Sequence, residues 1–213
     1  MTAAATLPKP KKRKWRSWWL KQFHTWHWIS AAVSLVGMML FAITGLTLNH
    51  AASISASPKT VQKSGLLAPG LRPLLANPKT DDAPLPPRVA EAVERSVDLN
   101  PAGRPGEWSD GEVYVAMPRP GGDAWVSIDR ASGAITSERT DRGWVSYLND
   151  LHKGRNAGTA WFWFIDVFAV ACIVFTLTGL LLLQMHARHR PSTWPLVAAG
   201  FLIPAAIAVF VLH

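Results

Sequence analysis

Three long runs of almost uncharged apolar residues, 28–48, 160–185 and 194–212, decide what this chain can fold into. A helix rises ~1.5 Å per residue, so about 20 such residues cross the hydrocarbon of a bilayer. Within lipid each backbone N–H and C=O must be satisfied inside its own segment, which leaves the helix as the form of each run. The expected fold class is an α-helical integral membrane protein with three transmembrane helices. They are placed at 26–50, 158–186 and 194–212. Pro204 predicts a kink in the third.

Charge orients the spans. Lys9, Lys11, Lys12, Arg13, Lys14, Arg16 and Lys21 precede the first span with no acid among them, and Arg188 and Arg190 lie in the 187–193 loop. The 51–159 segment carries 13 cations and 13 acids, so those nine cations, less Asp166, make the whole net charge of +8. Cations concentrate on cytoplasmic loops. The 1–25 tail and the 187–193 loop are therefore expected in the cytoplasm, and the central segment and C-terminus in the periplasm, for a bacterial inner membrane. "KPKKRKWR" immediately before a span suits anionic membrane lipid and not nucleic acid. "SISAS" offers small residues for cleavage, but the first run is longer than a signal-peptide core. Trp15, Trp18, Trp19, Trp26 and Trp28 at one end of the first span, with Trp161, Trp163 and Trp194 at the ends of the others, read as an interfacial aromatic belt. Cys172 is the only cysteine, which removes a disulfide framework and a Cys-based zinc site.

Between the first two spans, residues 51–87 are rich in Pro, Ser, Lys and Ala. They read as a periplasmic linker making short contacts through Leu66, Leu67, Leu71, Leu74 and Leu75. From Arg88 the pattern tightens. "PRVAEAVERSVDL" puts Val89, Ala92, Val93 and Val97 on one helical face. "GEVYVAMP", "DAWVSIDR" and "GAITSERT" follow as three short strands, with "DRASG" as a hairpin turn. Residues 88–142 thus form a small α+β module. Residues 143–157 are an interfacial helix and loop, with Trp144, Leu148 and His152 on one face.

The seven histidines are His24, His27, His50, His152, His186, His189 and His213, and none falls within 55–150. His24 and His27 share a face at the inner end of the first span. His186 and His189 share one at the inner end of the second. His50 and His152 bracket the outer side. Neutral imidazoles on facing helices can hold a haem iron from both sides. No C-x-x-C-H is present, so the cofactor expected is non-covalent haem b. "AITGLTL" and "TLTGLLL" echo each other on the two spans. Gly37, Gly45 and Gly179, with Thr44, thin the helices for a macrocycle or for close helix contact. Asp166 is the one acid inside a span. It would support a ligand histidine, pass protons, or bond Ser34, Thr44 or Thr47. His27 and His50 lie 23 residues apart, roughly 35 Å along a helix. That gap leaves three options: two haems tilted inward or bridged by aromatics, one haem, or one haem shared across a homodimer.

A basic "H-x-W", a "TGL" in each of two spans, an intramembrane Asp and "LH-x-GR" ahead of the second span resemble the PepSY-associated transmembrane helix family, in its short three-span branch. The resemblance covers about 20–190. It implies that 88–142 is a reduced PepSY-like domain and that the protein serves iron uptake. Larger members look like haem-containing ferric siderophore reductases. Carried over by position, His50 and His152 become outer haem ligands and His27 and His186 the inner pair, with His24 and His189 as substitutes. The expected function is a b-type cytochrome reducing a ferric chelate or siderophore at the periplasmic face. "RPGEWSDG" lacks the G-x-G-x-x-G spacing of a nucleotide site, so the electron donor must be separate, a quinol or a cytoplasmic reductase. Two alternatives use the same residues. One is a non-enzymatic, membrane-tethered PepSY interaction or inhibitory module. The other is a haem-free metal-binding membrane protein that adds Met185 to the histidines.

Overall fold

The computed structural model describes residues 11–54, 57–76, 78 and 80–211, with backbone only for 11–14. Residues 1–10 of the basic tail, and Leu212 and His213 at the end of the third span, lie outside the described residues. The long apolar runs form α1 (Lys11–Asn49), α4 (Gly158–His186) and α5 (Thr193–Phe210). Each holds a stretch long and apolar enough to cross a membrane: Trp15–Asn49, Gly158–His189 and Thr193–Phe210. Their large apolar side chains point outward, Val36, Ile43, Val170 and Phe201 among them, as lipid-facing helices require. Helix α1 continues back through the tryptophans into the basic segment without a break, and α5 runs through Pro204.

The chain divides into two compact units. The helical unit holds residues up to Leu40 and from Ile165 onward; the sheet unit is Phe41–Phe164. Inside the helical unit, α1 meets α4 at His27 and at Gly37, and Ser30 and Ser34 lie between these two points at spacings of three, four and three. Ser30 and Ser34 are buried, and each hydroxyl bonds a carbonyl of its own helix. A Cβ on Gly37 would lie 2.5 Å from the Phe168 ring. Small residues let the two backbones approach closely, the usual basis of helix association in lipid.

The sheet unit is larger than the sequence suggests. Five antiparallel strands lie in the order β1-β5-β4-β3-β2: β1 Lys59–Leu66, β2 Glu107–Trp108, β3 Glu112–Ala116, β4 Gly122–Asp129 and β5 Ala134–Asp141. Helix α2 (Pro87–Val97) packs on one face through Val89, Ala90, Val93 and Val97. The alternation expected for Val113, Val115 and Met117 places all three in the core with Val126, Ile128 and Ile135.

The expected 51–87 linker is overturned. Residues 59–66 are strand β1, paired with β5 from Lys59↔Asp141 to Leu66↔Ala134. Pro69–Leu75 makes a 3-10 turn beside it. Leu67 and Leu75 are buried core residues, whereas Leu66 and Leu74 are exposed. The strand hid because it is a polar edge strand. It contributes backbone pairing and almost no apolar face, so it carries no period-two signal. The segment is therefore part of the domain, and its removal should be felt there. Leu67→Ala is expected to cost the sheet unit about 2–5 kcal/mol, the usual range for a buried leucine. Faster hydrogen exchange of the β5 amides in the full-length protein would report the loss.

Helix α3 (Gly143–His152) closes the sheet unit. Trp144, Val145, Tyr147 and Leu148 are exposed, and the buried residues are polar, Asn149 and Asp150. Asp150 Oδ2 accepts the Gly121 N–H at 2.8 Å, and Asn149 Oδ1 accepts the Thr47 hydroxyl at 2.9 Å. Trp161 Nε1 donates to the Leu151 carbonyl at 2.9 Å, which also accepts the Gly154 N–H at 3.1 Å, so the end of α3 is tied to the start of α4.

Candidate functional site

The echo between the two spans is longer than TGL. Phe41-Ala42-Ile43-Thr44-Gly45-Leu46 and Phe175-Thr176-Leu177-Thr178-Gly179-Leu180 share Phe-x-x-Thr-Gly-Leu. On a helix the Phe, Thr and Gly of this motif fall on one face. In each copy that face takes a histidine from another helix. In the helical unit His27 Nδ1 lies 3.1 Å from Thr178 Oγ1 and 3.1 Å from the Phe175 carbonyl. Its ring stacks on Phe175 at 4.5 Å, and its Cε1 lies 3.3 Å from where a Cβ on Gly179 would stand. In the sheet unit His152 Nδ1 lies 2.8 Å from Thr44 Oγ1. Its ring is 5.0 Å from Phe41, and its Cε1 is 3.5 Å from a Cβ built on Gly45.

A carbonyl fixes the tautomer at His27. The Phe175 carbonyl, 3.1 Å from His27 Nδ1, only accepts, so Nδ1 carries the proton and the basic lone pair is left on Nε2. Thr178, which donates to the Val174 carbonyl at 2.7 Å, accepts from the same nitrogen. At His152 the Thr44 hydroxyl is the Nδ1 partner, and a hydroxyl serves as donor or acceptor.

His24, His50 and His186 reach the same state as His27 within their own helices. Each places Nδ1 against the carbonyl four residues earlier, at 2.8 Å to Leu20, 3.0 Å to Leu46 and 2.8 Å to Leu182. A carbonyl only accepts, so Nδ1 is again the protonated nitrogen.

Four of the expected site histidines come together in the helical unit. His24, His27, His186 and His189 line one pocket of ≈730 Å³. Its remaining walls include Phe175, Gly179, Leu183 and Arg190. The His24 and His186 rings lie 6.4 Å apart at 87°. His27, the expected partner of His186, instead docks on Thr178. The expected outer pair is not brought into ring contact among the described residues. His152 sits in the Thr44–Gly45 socket, whereas His50 is exposed and bonds its own helix.

The supporting residues are redistributed as well. The space at Gly45 and Gly179 is taken by histidine rings, and that at Gly37 by Phe168. Asp166 is exposed on α4. The three hydroxyls expected to meet it are engaged elsewhere: Ser34 with Ser30, Thr44 with Phe41 and His152, Thr47 with Thr44 and Asn149. Sequence reasoning saw the TGL echo but missed the Phe three residues before each Thr. The readable signal was a six-residue motif repeated on two spans, with a histidine available to each copy.

No curated protein and no solved structure matches the chain. A family model described as PepSY_TM-like matches residues 18–213, which takes in the whole sheet, α4, α5 and α1 from residue 18 onward. A membrane-embedded chain of three apolar helices with an α+β domain between the first two, it belongs to the PepSY_TM-like family.

Proposed function

We propose that this protein is a b-type cytochrome of the bacterial inner membrane, with haem seated in the histidine-lined pocket of the helical unit. It would pass electrons to a ferric chelate or siderophore on the side that bears the sheet domain, in support of iron uptake. The observation that carries the reading is the pair His24 and His186. Their rings are 6.4 Å apart on two helices, and each has its Nδ1–H committed to a backbone carbonyl. Such second bonds hold a ligand imidazole in one orientation and raise its basicity.

The donor set fits the group. Two metal–imidazole bonds of ~2.1 Å, plus the depth of each ring, come to about the separation of these rings. The pocket volume lies in the ~300–1,000 Å³ range of cofactor sites. His24 and His186 would hold the iron through their imidazole nitrogens. Leu180, Leu182 and Leu183 give the pocket an apolar wall, and Arg190 and His189 in the same lining would offer a counter-charge to the carboxylates of a bound haem. His27, fixed by Thr178, ties α1 to α4 beside the pocket. When bound, haem takes up and gives out one electron at a time.

The electron donor would be a quinol or a cytoplasmic reductase, and the positive-inside charge pattern favours a periplasmic sheet domain. Reduction of Fe(III) to Fe(II) weakens its hold on hard oxygen ligands, so the metal leaves the chelate. Absorbance spectra of the purified protein, oxidised and dithionite-reduced, test the proposal. A Soret band with sharpened reduced α and β bands is expected, and a protein colourless after haem supplementation would end it.

A second reading draws on the uncovered face of the sheet. Tyr114 and Trp125 lie 5.8 Å apart there, half-buried. Burial pushes the Tyr114 hydroxyl pKa up, with help from the charges of Glu107, Asp123 and Glu138. Such a face suits a partner-binding module that the helices merely tether. In that case histidine substitutions would leave function intact and changes at Tyr114 or Trp125 would not.

A further inference from the structure

We infer that the free edge of β1 receives an acidic, extended segment of a partner protein, which joins the sheet as a sixth strand.

The register of the ladder shows which groups the edge offers. Antiparallel pairs alternate between hydrogen-bonded and non-bonded. The Leu67 N–H donates to the Gly133 carbonyl at 2.8 Å, one step beyond the pair Leu66↔Ala134. Gly65↔Ile135, Lys63↔Ser137, Val61↔Arg139 and Lys59↔Asp141 are therefore the bonded pairs. Thr60, Gln62, Ser64 and Leu66 turn their N–H and C=O away from β5, and no strand takes them up among the described residues. All four are exposed.

The edge is eight residues long, holds no proline and pairs with β5 without a bulge. An edge of that kind is a template for another strand. It is also already formed. Gln62 Nε2 donates to Glu138 Oε2 at 2.8 Å, and the Thr60 and Thr140 hydroxyls meet at 3.0 Å, so side chains as well as backbone hold β1 in register. A pre-formed edge loses little entropy on binding.

The side chains select the partner. Lys59, Val61 and Lys63 line a hollow of ≈260 Å³ with Val97, Leu99, Ser137 and Arg139, where α2 ends. Val97 is buried but Val61 is 53% exposed, because α2 stops short of covering it. An apolar side chain on an added strand would cover Val61. Asp98 and Asp141 share the lining. Asp98 lies 3.7 Å from Lys63 with both side chains exposed, and Asp141 is taken by Arg119 and the Gly143 N–H. Lys59 and Arg139 make no ion pair among the described residues. An acidic strand would meet them as opposite charges, which stabilise neighbouring strands. A second copy of β1 would not. Two such edges joined through these groups gather four lysine ammonium groups on one face of the joint, and edge lysines guard against self-pairing of this kind.

The test uses the full-length protein in phosphatidylcholine nanodiscs and a fluorescent peptide, acetyl-Thr-Glu-Thr-Val-Thr-Glu-Thr-amide, read by anisotropy. Its glutamates and valine share one face and can lie beside Lys59, Val61 and Lys63. Saturable binding is expected. The peptide with lysine in place of both glutamates should bind roughly tenfold more weakly or worse, since like charges on neighbouring strands destabilise. The peptide N-methylated at every residue keeps its charges but cannot donate, and should not bind. Lys59→Glu combined with Lys63→Glu should weaken binding roughly tenfold or more. Lys59→Gln with Lys63→Gln, which guards against a folding failure, should weaken it less. Ser64→Pro removes one outward N–H, leaves the bonds to β5 in place and is of a kind that edge strands tolerate. It should weaken binding about fivefold, the size of a lost hydrogen bond. No binding by the wild type, equal binding of the lysine or N-methylated peptide, or unchanged binding in the double glutamate variant or in Ser64→Pro would each overturn the inference. Sedimentation of the detergent-solubilised protein reads the other occupant. A dimer that Ser64→Pro dissolves would assign the edge to a second copy and overturn the acidic partner. The titration needs neither haem nor electron, so its outcome and that of the proposed function are read separately.

Discussion

A chain carrying His186→Ala is expected to purify with less than about a tenth of the wild-type haem, and His24→Ala to do the same. Each substitution removes one of two imidazoles whose rings lie 6.4 Å apart, edge to face, and among the described residues no other histidine pair is in ring contact. Loss of partners that only orient a metal ligand already costs ~10–100-fold in affinity; loss of the ligand itself costs at least that. His27→Ala is expected to keep its haem. That ring stacks on Phe175 at 4.5 Å and, unlike His24 and His186, meets no second imidazole in ring contact among the described residues, so its geometry serves the joint between α1 and α4. His50→Ala, at an exposed ring bonded to its own helix, should leave the spectrum unchanged. Haem per protein by pyridine haemochromogen, with the Soret-to-280 nm ratio, gives all four results. If His27→Ala empties the site while His24→Ala does not, the axial assignment moves to His27 and the pairing of His24 with His186 is wrong.

These assignments also mark how far the sequence could be read. The three spans were legible because lipid tolerates only one form for a long apolar run, and length and charge alone identify it. The buried sides of α2 and β3 were legible because each keeps the period of its own geometry. Strand β1 was not, since "KTVQKSGL" has no apolar alternation and its place is fixed by pairing with a strand some 75 residues later. The histidines could be found at the helix ends, but not sorted. His24 and His27 differ by less than a helical turn in sequence. What separates them is whether Thr178 or His186 lies opposite, a fact of how two helices rotate against each other. The same limit held for Gly37, Gly45 and Gly179. All three were seen as spaces, and only the packed structure tells that Phe168 fills the first and histidine rings the other two.

Gly37→Leu is expected to lower the thermal midpoint of the purified protein sharply and to empty the proposed haem pocket with it. A Cβ at Gly37 stands 2.5 Å from Phe168 Cε2, 3.0 Å from Cδ2 and 3.2 Å from Cζ. No carbon can occupy that position unless the Phe168 ring or the helix carrying it moves. Overpacking of this kind costs about 1–3 kcal/mol where a side chain can swing away, and more where the backbone must shift. Here a shift reaches the site, because the same two helices carry His24 and His186. The substitution does not touch either histidine, so a loss of haem would come through helix separation. Phe168→Ala alone should also destabilise, by leaving a void beside Gly37. Combined, the two changes should recover more than half of the stability and haem lost in Gly37→Leu, since the new leucine fills the space the ring vacates. Contacting residues give such non-additive results, whereas independent sites simply add. A double variant no better than the sum of its parts would mean that the Gly37–Phe168 contact does not set the distance between α1 and α4, and the proposed haem pocket would need another explanation for its width.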